Sequence, residues 1–130
     1  MSNHKQERRN LERWQTDQTL CVYDQTDEKF LGCLADINAR GMMMISTSEL
    51  SEGVIYKLSI PLRKEICEVS ELQIEARCEW SRMDDHCSLC GNGFSLVQPS
   101  QYVIDIITSI LKDPDFRRSK GEPSVIEIIE

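Results

Sequence analysis

"LQIEARCEW", residues 72–80, alternates without a break. Leu72, Ile74, Ala76, Cys78 and Trp80 share one face, and Gln73, Glu75, Arg77 and Glu79 share the other. Period two over nine residues is the signature of a strand with one dry and one wet face, as found in antiparallel sheets. Trp80 closes the dry face and is expected in the core.

The segments on either side extend this pattern. Upstream, "TLCVYD" (19–24), "FLGCLADI" (30–37), "GMMMIS" (41–46) and "VIYKLSI" (54–60) each read as a short strand, and Pro61 ends the last of these. "NARG" (38–41) is a tight connection in which Gly41 is expected to supply a positive φ. The methionines of "MMM" (42–44) are expected in the barrel core and on its face. Downstream, "MDDHCSLCGNG" (83–93) is rich in turn residues and reads as a link, with "FSLVQ" (94–98) as the returning strand. The period then changes. Tyr102, Val103, Ile106, Ile107, Ile110 and Leu111 recur at helical spacing behind Pro99 and Ser100, which predicts a helix ending before Pro114. Six short strands joined by tight turns favour closure, since a barrel leaves no exposed edge. The expected fold is therefore mainly β, a six-stranded antiparallel barrel with a C-terminal α-helix. The expected division is a flexible arm over 1–16, the barrel and helix over 17–113, and a tail over 114–130.

Composition narrows the function. A chain of 130 residues with 40% apolar content can bury one core. A net charge of −7 argues against a nucleic-acid polymer as partner, so a bound anion must find a local basic patch. No apolar run reaches the ~18 residues of a membrane span, and the polar N-terminus lacks the apolar core of a signal peptide. A cytoplasmic protein is expected. Its six cysteines, Cys21, Cys33, Cys67, Cys78, Cys87 and Cys90, lie mostly in apolar strand-like stretches and read as reduced thiols. "HCSLC" (86–90) holds one C-x-x-C, too few ligands for structural zinc and without the βαβ context of a redox motif, so no metal is expected. The sequence has no P-loop, H-E-x-x-H or G-x-S-x-G, and no enzymatic activity is expected.

Two stretches carry binding chemistry. "RRNLER" (8–13) places Arg9 and Arg13 four apart, with Arg8 alongside. On a helical turn Arg9 and Arg13 share a face; in extended chain they lie roughly 13 Å apart. Guanidinium groups fork onto phosphates or onto the O6 and N7 of guanine. "DINARG" (36–41) ends a strand with Asp36 and Asn38 pointing to the same side. A carboxylate there accepts from the N–H groups on the pairing edge of guanine. Each stretch also has a plain reading, a solvated charged tail for the first and an ordinary hairpin turn for the second.

Taken in order, "RRNLER", "DINARG", "CEW" (78–80), "GNGFSLV" (91–97) and a helix from about residue 101 resemble the PilZ family, over roughly residues 7–112. That family has R-x-x-x-R in an N-terminal arm and (D/N)-x-S-x-x-G at a strand end, and its members bind cyclic di-GMP. The resemblance implies a bacterial cyclic di-GMP receptor whose site comprises Arg8, Arg9, Arg13, Asp36, Asn38 and Gly41, with Asn38 standing where the family has serine. It further implies that the arm closes over the barrel on binding and that the signal passes to a protein partner. Trp14 either seals the ligand or anchors the arm, Arg40 reads as a solvated turn residue, and "SVIEIIE" (124–130) as a tail or a docking strand. The alternative within the family is a protein-interaction adaptor that binds no nucleotide, for example in pilus assembly.

Overall fold

A computed structural model describes residues 19–114 and Phe116. Six strands form a closed antiparallel barrel: β1 (Cys21–Asp24), β2 (Phe30–Ile37), β3 (Gly41–Ser46), β4 (Ile55–Pro61), β5 (Glu71–Asp84) and β6 (Leu89–Leu96), in the order β1-β2-β3-β6-β5-β4. One helix, α1 (Gln101–Lys112), follows. Among the described residues no helix is long and apolar enough to cross a membrane.

Alternation builds the barrel. Leu58 and Ile60 of β4 and Leu72, Ala76 and Cys78 of β5 point inward and are wholly buried, and Ile74 is nearly so. Each buried aliphatic side chain contributes on the order of 1.5–3 kcal/mol. Ile106, Ile107 and Ile110 bring the apolar stripe of α1 into the same core, and Ser100 caps the helix by accepting a hydrogen bond from the Val103 N–H at 3.2 Å. Phe116 is buried in this core too, so contact with the barrel continues past the end of α1.

The strands differ from the sequence reading at one hairpin. The stretch read as a link from Met83 to Gly93 is mostly strand: β5 runs on to Asp84, the turn is confined to residues 85–88, and β6 begins at Leu89. Asp84 closes the turn, accepting from the His86 N–H at 2.9 Å and from the Cys87 thiol at 3.3 Å. Glycine is usually a poor strand former, but Gly93 sits opposite Trp80 and leaves space for the indole: a Cβ there would lie 2.2 Å from Trp80 Nε1.

Three register shifts interrupt the alternation: one in the β1–β2 pairing, where Val22↔Gly32 passes to Tyr23↔Phe30 and leaves Leu31 extra, and two β-bulges farther along. In β2 the register passes from Leu34↔Met44 to Asp36↔Met43, leaving Ala35 as the extra residue. In β5 it passes from Cys78↔Phe94 to Trp80↔Gly93, leaving Glu79 as the extra residue. A bulge shifts which face each following side chain takes. Trp80 is accordingly not in the barrel core. It turns to the outer face and packs against a second apolar cluster of Cys33, Ala35, Met43, Ile45 and Leu89. The methionines divide as expected, Met42 and Met44 inside and Met43 in the outer cluster.

Candidate functional site

Both bulges lie beside one groove. Its wall is formed by Asp36, Asn38, Arg40 and Gly41 from the β2–β3 corner, and by Glu79, Trp80, Gly93 and Ser95 from β5 and β6, around a cavity of about 380 Å³. The bulge at Ala35 determines Asp36's place in it. Uninterrupted alternation from Leu34 would point Asp36 into the core and Ile37 out. The extra residue reverses this, so Ile37 is buried in the core and Asp36 faces the groove.

The corner is held by its own polar groups. Asn38 Oδ1 accepts from the Arg40 N–H at 2.8 Å and the Gly41 N–H at 3.1 Å, an Asx-type turn. The Asn38 N–H donates to the Gly41 carbonyl at 2.9 Å, and the Leu96 N–H donates to the Arg40 carbonyl at 2.9 Å, tying the corner to β6. Asp36 Oδ1 accepts from the Ile37 N–H at 2.9 Å. Gly41 serves differently from the expectation. Positive φ occurs among the described glycines only at Gly53. Gly41 is instead a close-approach glycine, since a Cβ there would lie 2.4 Å from the Phe94 carbonyl oxygen across the β3–β6 pairing.

The far wall offers an aromatic face and an acid. The Trp80 ring lies over Gly93, and the Arg82 guanidinium carbon stands 5.5 Å from the ring centroid, within cation–π range. Glu79 accepts from the Ser95 hydroxyl at 2.5 Å. Gly93→Ala should therefore displace the indole, seen as a shift in tryptophan emission with little loss of fold; an unchanged spectrum would mean that the ring is not seated there.

The closed six-stranded barrel with its C-terminal helix is shared with solved structures. The PilZ domain of YcgR from Escherichia coli, solved with c-di-GMP, aligns at TM-score 0.51 and 15% identity, over 71% of this chain and 77% of that one. The Bacillus subtilis inhibitor of motility MotI/DgrA aligns at TM-score 0.59 and 19% identity, over 82% of this chain and 50% of that one. YcgR in complex with c-di-GMP aligns at TM-score 0.53 and 15% identity, over 86% of this chain and 46% of that one. The fold is that of a PilZ domain. No family model and no curated protein sequence matches the chain.

On this PilZ barrel the sequence-predicted residues fall into two groups. Asp36, Asn38 and Gly41 come together on one groove wall. Arg8, Arg9 and Arg13 lie outside the described residues, as do Trp14 and the "SVIEIIE" segment. Arg40, read as a turn residue, is exposed and also lines the groove. Glu79, Trp80, Gly93 and Ser95 join the groove wall without a binding motif in the sequence. The sequence signal for them is a tryptophan on one strand with glycine on the next.

The C-x-x-C pair is placed apart from this groove wall. Burial pushes the Cys87 thiol above its ordinary value, and the adjacent Asp84 carboxylate adds to the effect. That disfavours the thiolate a redox motif needs. Among the described residues no group of three or more His, Cys, Asp or Glu side chains is placed to hold a metal ion.

Proposed function

We propose that the chain is a cyclic di-GMP receptor, with the ligand in the groove beneath the Asp36–Gly41 corner and the arginines of the N-terminal arm over it. The observation that carries this reading is the bulge at Ala35, which turns Asp36 outward to stand beside Asn38 and Gly41. There the carboxylate can accept from the N–H groups of a guanine edge, and Trp80 supplies an apolar surface across the groove. Charge supports a role for the arm. Among the described residues that line the groove, Asp36 and Glu79 stand against Arg40, so a ligand with two phosphodiester charges needs further cations. The arm joins the barrel close by. The Leu34 N–H donates to the Leu20 carbonyl at 2.8 Å, two positions before Asp36 on β2. Arg9 and Arg13, with Arg8, supply the missing charge, and ordering of residues 1–16 on binding presents a changed surface to a protein partner. In this scheme the protein is a receptor without enzymatic activity, acting in the bacterial cytoplasm. The E. coli YcgR structures with c-di-GMP support the ligand class.

Calorimetric titration with cyclic di-GMP tests the reading. Saturable binding heat is expected; none at tens of micromolar ligand and protein would refute it. Asn38→Ser should leave affinity equal or better, because a serine hydroxyl can cap the same turn in a smaller volume. A large loss of affinity would instead give the carboxamide a ligand-binding role of its own.

A second reading, an adaptor that works through protein contacts without nucleotide, draws on one observation: the Asn38 side-chain oxygen is engaged in holding the turn. The likeness to an inhibitor of motility is compatible with it. The same titration separates the two.

A further inference from the structure

Cys21 of β1 and Cys33 of β2 are directly opposite each other in the antiparallel register. Their neighbours fix what kind of pair this is. The Leu34 N–H donates to the Leu20 carbonyl, so Leu20 and Leu34 form a hydrogen-bonded pair. Antiparallel pairs alternate, which makes Cys21–Cys33 a non-hydrogen-bonded pair, with Cα atoms about 4.5 Å apart and side chains at their closest. That separation falls within the range a disulfide spans, near its short end. The two side chains also share a face. Val22 and Leu34 belong to the barrel core, while Cys33 belongs to the outer cluster, so both thiols lie on the outer side of the barrel. Cys21 is half-buried and Cys33 wholly buried. No other two cysteines among the described residues face each other across strands.

We infer that Cys21 and Cys33 are a redox modification site, a cross-strand dithiol that a peroxide converts to a disulfide. The more accessible Cys21 reacts first: its sulfur attacks one peroxide oxygen, the O–O bond breaks, and a sulfenic acid and one water result. The Cys33 sulfur then attacks the Cys21 sulfur, the S–O bond breaks, and hydroxide leaves with the Cys33 proton as a second water. In sum, two thiols and one hydrogen peroxide give one disulfide and two waters. The bond joins the strand that follows the N-terminal arm to the strand that bears Asp36, at positions where the backbone is already in register. The inference stands independently of what the groove binds.

The test is peptide mapping of the full chain after brief peroxide treatment and alkylation of the remaining thiols. A cross-linked pair of peptides carrying residues 21 and 33 is expected, lighter by two hydrogens than the two reduced peptides together, and dithiothreitol should restore both thiols to alkylation. Cys21→Ser should abolish the cross-link. Cys33→Ala should drive Cys21 on to sulfinic acid, for lack of a resolving thiol. Recovery of Cys21 and Cys33 on separate peptides from the treated native protein, with the cross-link at another pair or none, would overturn the inference.

Discussion

Asn92→Ala is expected to lower the unfolding free energy by about 3–5 kcal/mol, a large part of the ~5–15 kcal/mol a domain this size commands. Asn92 is wholly buried inside the barrel and fully bonded. Its Nδ2 donates to the Met44 carbonyl at 3.0 Å and to Ser46 Oγ at 2.9 Å, and its Oδ1 accepts from the Ser81 hydroxyl at 2.7 Å. Each serine passes the connection on. The Ser46 hydroxyl donates to the Ser48 carbonyl at 2.7 Å, and Ser81 Oγ accepts from the Leu50 N–H at 2.9 Å. One side chain thus links β3, β5 and β6 to the loop after β3. Alanine leaves the Ser81 hydroxyl and the Met44 carbonyl short of partners inside the barrel, each costing about 1–3 kcal/mol, and adds a cavity. Asn92→Leu fills the volume but not the bonds and should also be destabilising, which separates the polar contribution from the packing one. Denaturant unfolding reads both. A loss below about 1 kcal/mol for the alanine variant would mean that the network is dispensable.

Replacing both Arg9 and Arg13 with alanine should nearly abolish cyclic di-GMP binding while leaving the unfolding midpoint in place. Each guanidinium that forks onto phosphate or guanine contributes about 1–3 kcal/mol, a 5- to 150-fold change in Kd, so the pair removes about 1.5 to 4 orders of magnitude. Single variants should weaken binding by the single-site amount. Asp36→Ala should match them, since it removes the carboxylate acceptor of the β2–β3 corner. Salt provides a companion measurement: affinity of the native protein should fall as salt rises, and the double variant should show a flatter dependence. Equal affinity for native and doubly substituted protein would remove the arm from the site.

The barrel was legible in the sequence because burial in it obeys period two. Leu72, Ile74, Ala76 and Cys78 alternate and are buried as read. Alternation failed where backbone register changed. Nothing in "CEW" marks Glu79 as an extra residue, so strict alternation predicts the wrong face for Trp80. The bulge at Ala35 was equally silent, although it decides that Asp36 reaches the groove. Gly41 was recognised as necessary, but its reason is the Phe94 carbonyl on β6, a contact 53 positions along the chain that no local pattern can encode. "GNG" suggested a turn on composition, whereas Gly93 makes room for Trp80 and Asn92 carries the interior network. Each miss is a long-range pairing overriding a local preference.

In the proposed receptor, the Asp36–Gly41 corner and the facing strands β5 and β6 form the ligand wall. Amide shift mapping by NMR during titration with cyclic di-GMP tests this arrangement most directly. Saturable shifts are expected, centred on the amides of Asn38, Arg40, Gly41 and Gly93 through Ser95 and on the Trp80 indole N–H. Shifts that spare those groups and gather instead around Gln73, Gln98 and Ser100, where a second groove lies against the start of α1, would contradict it.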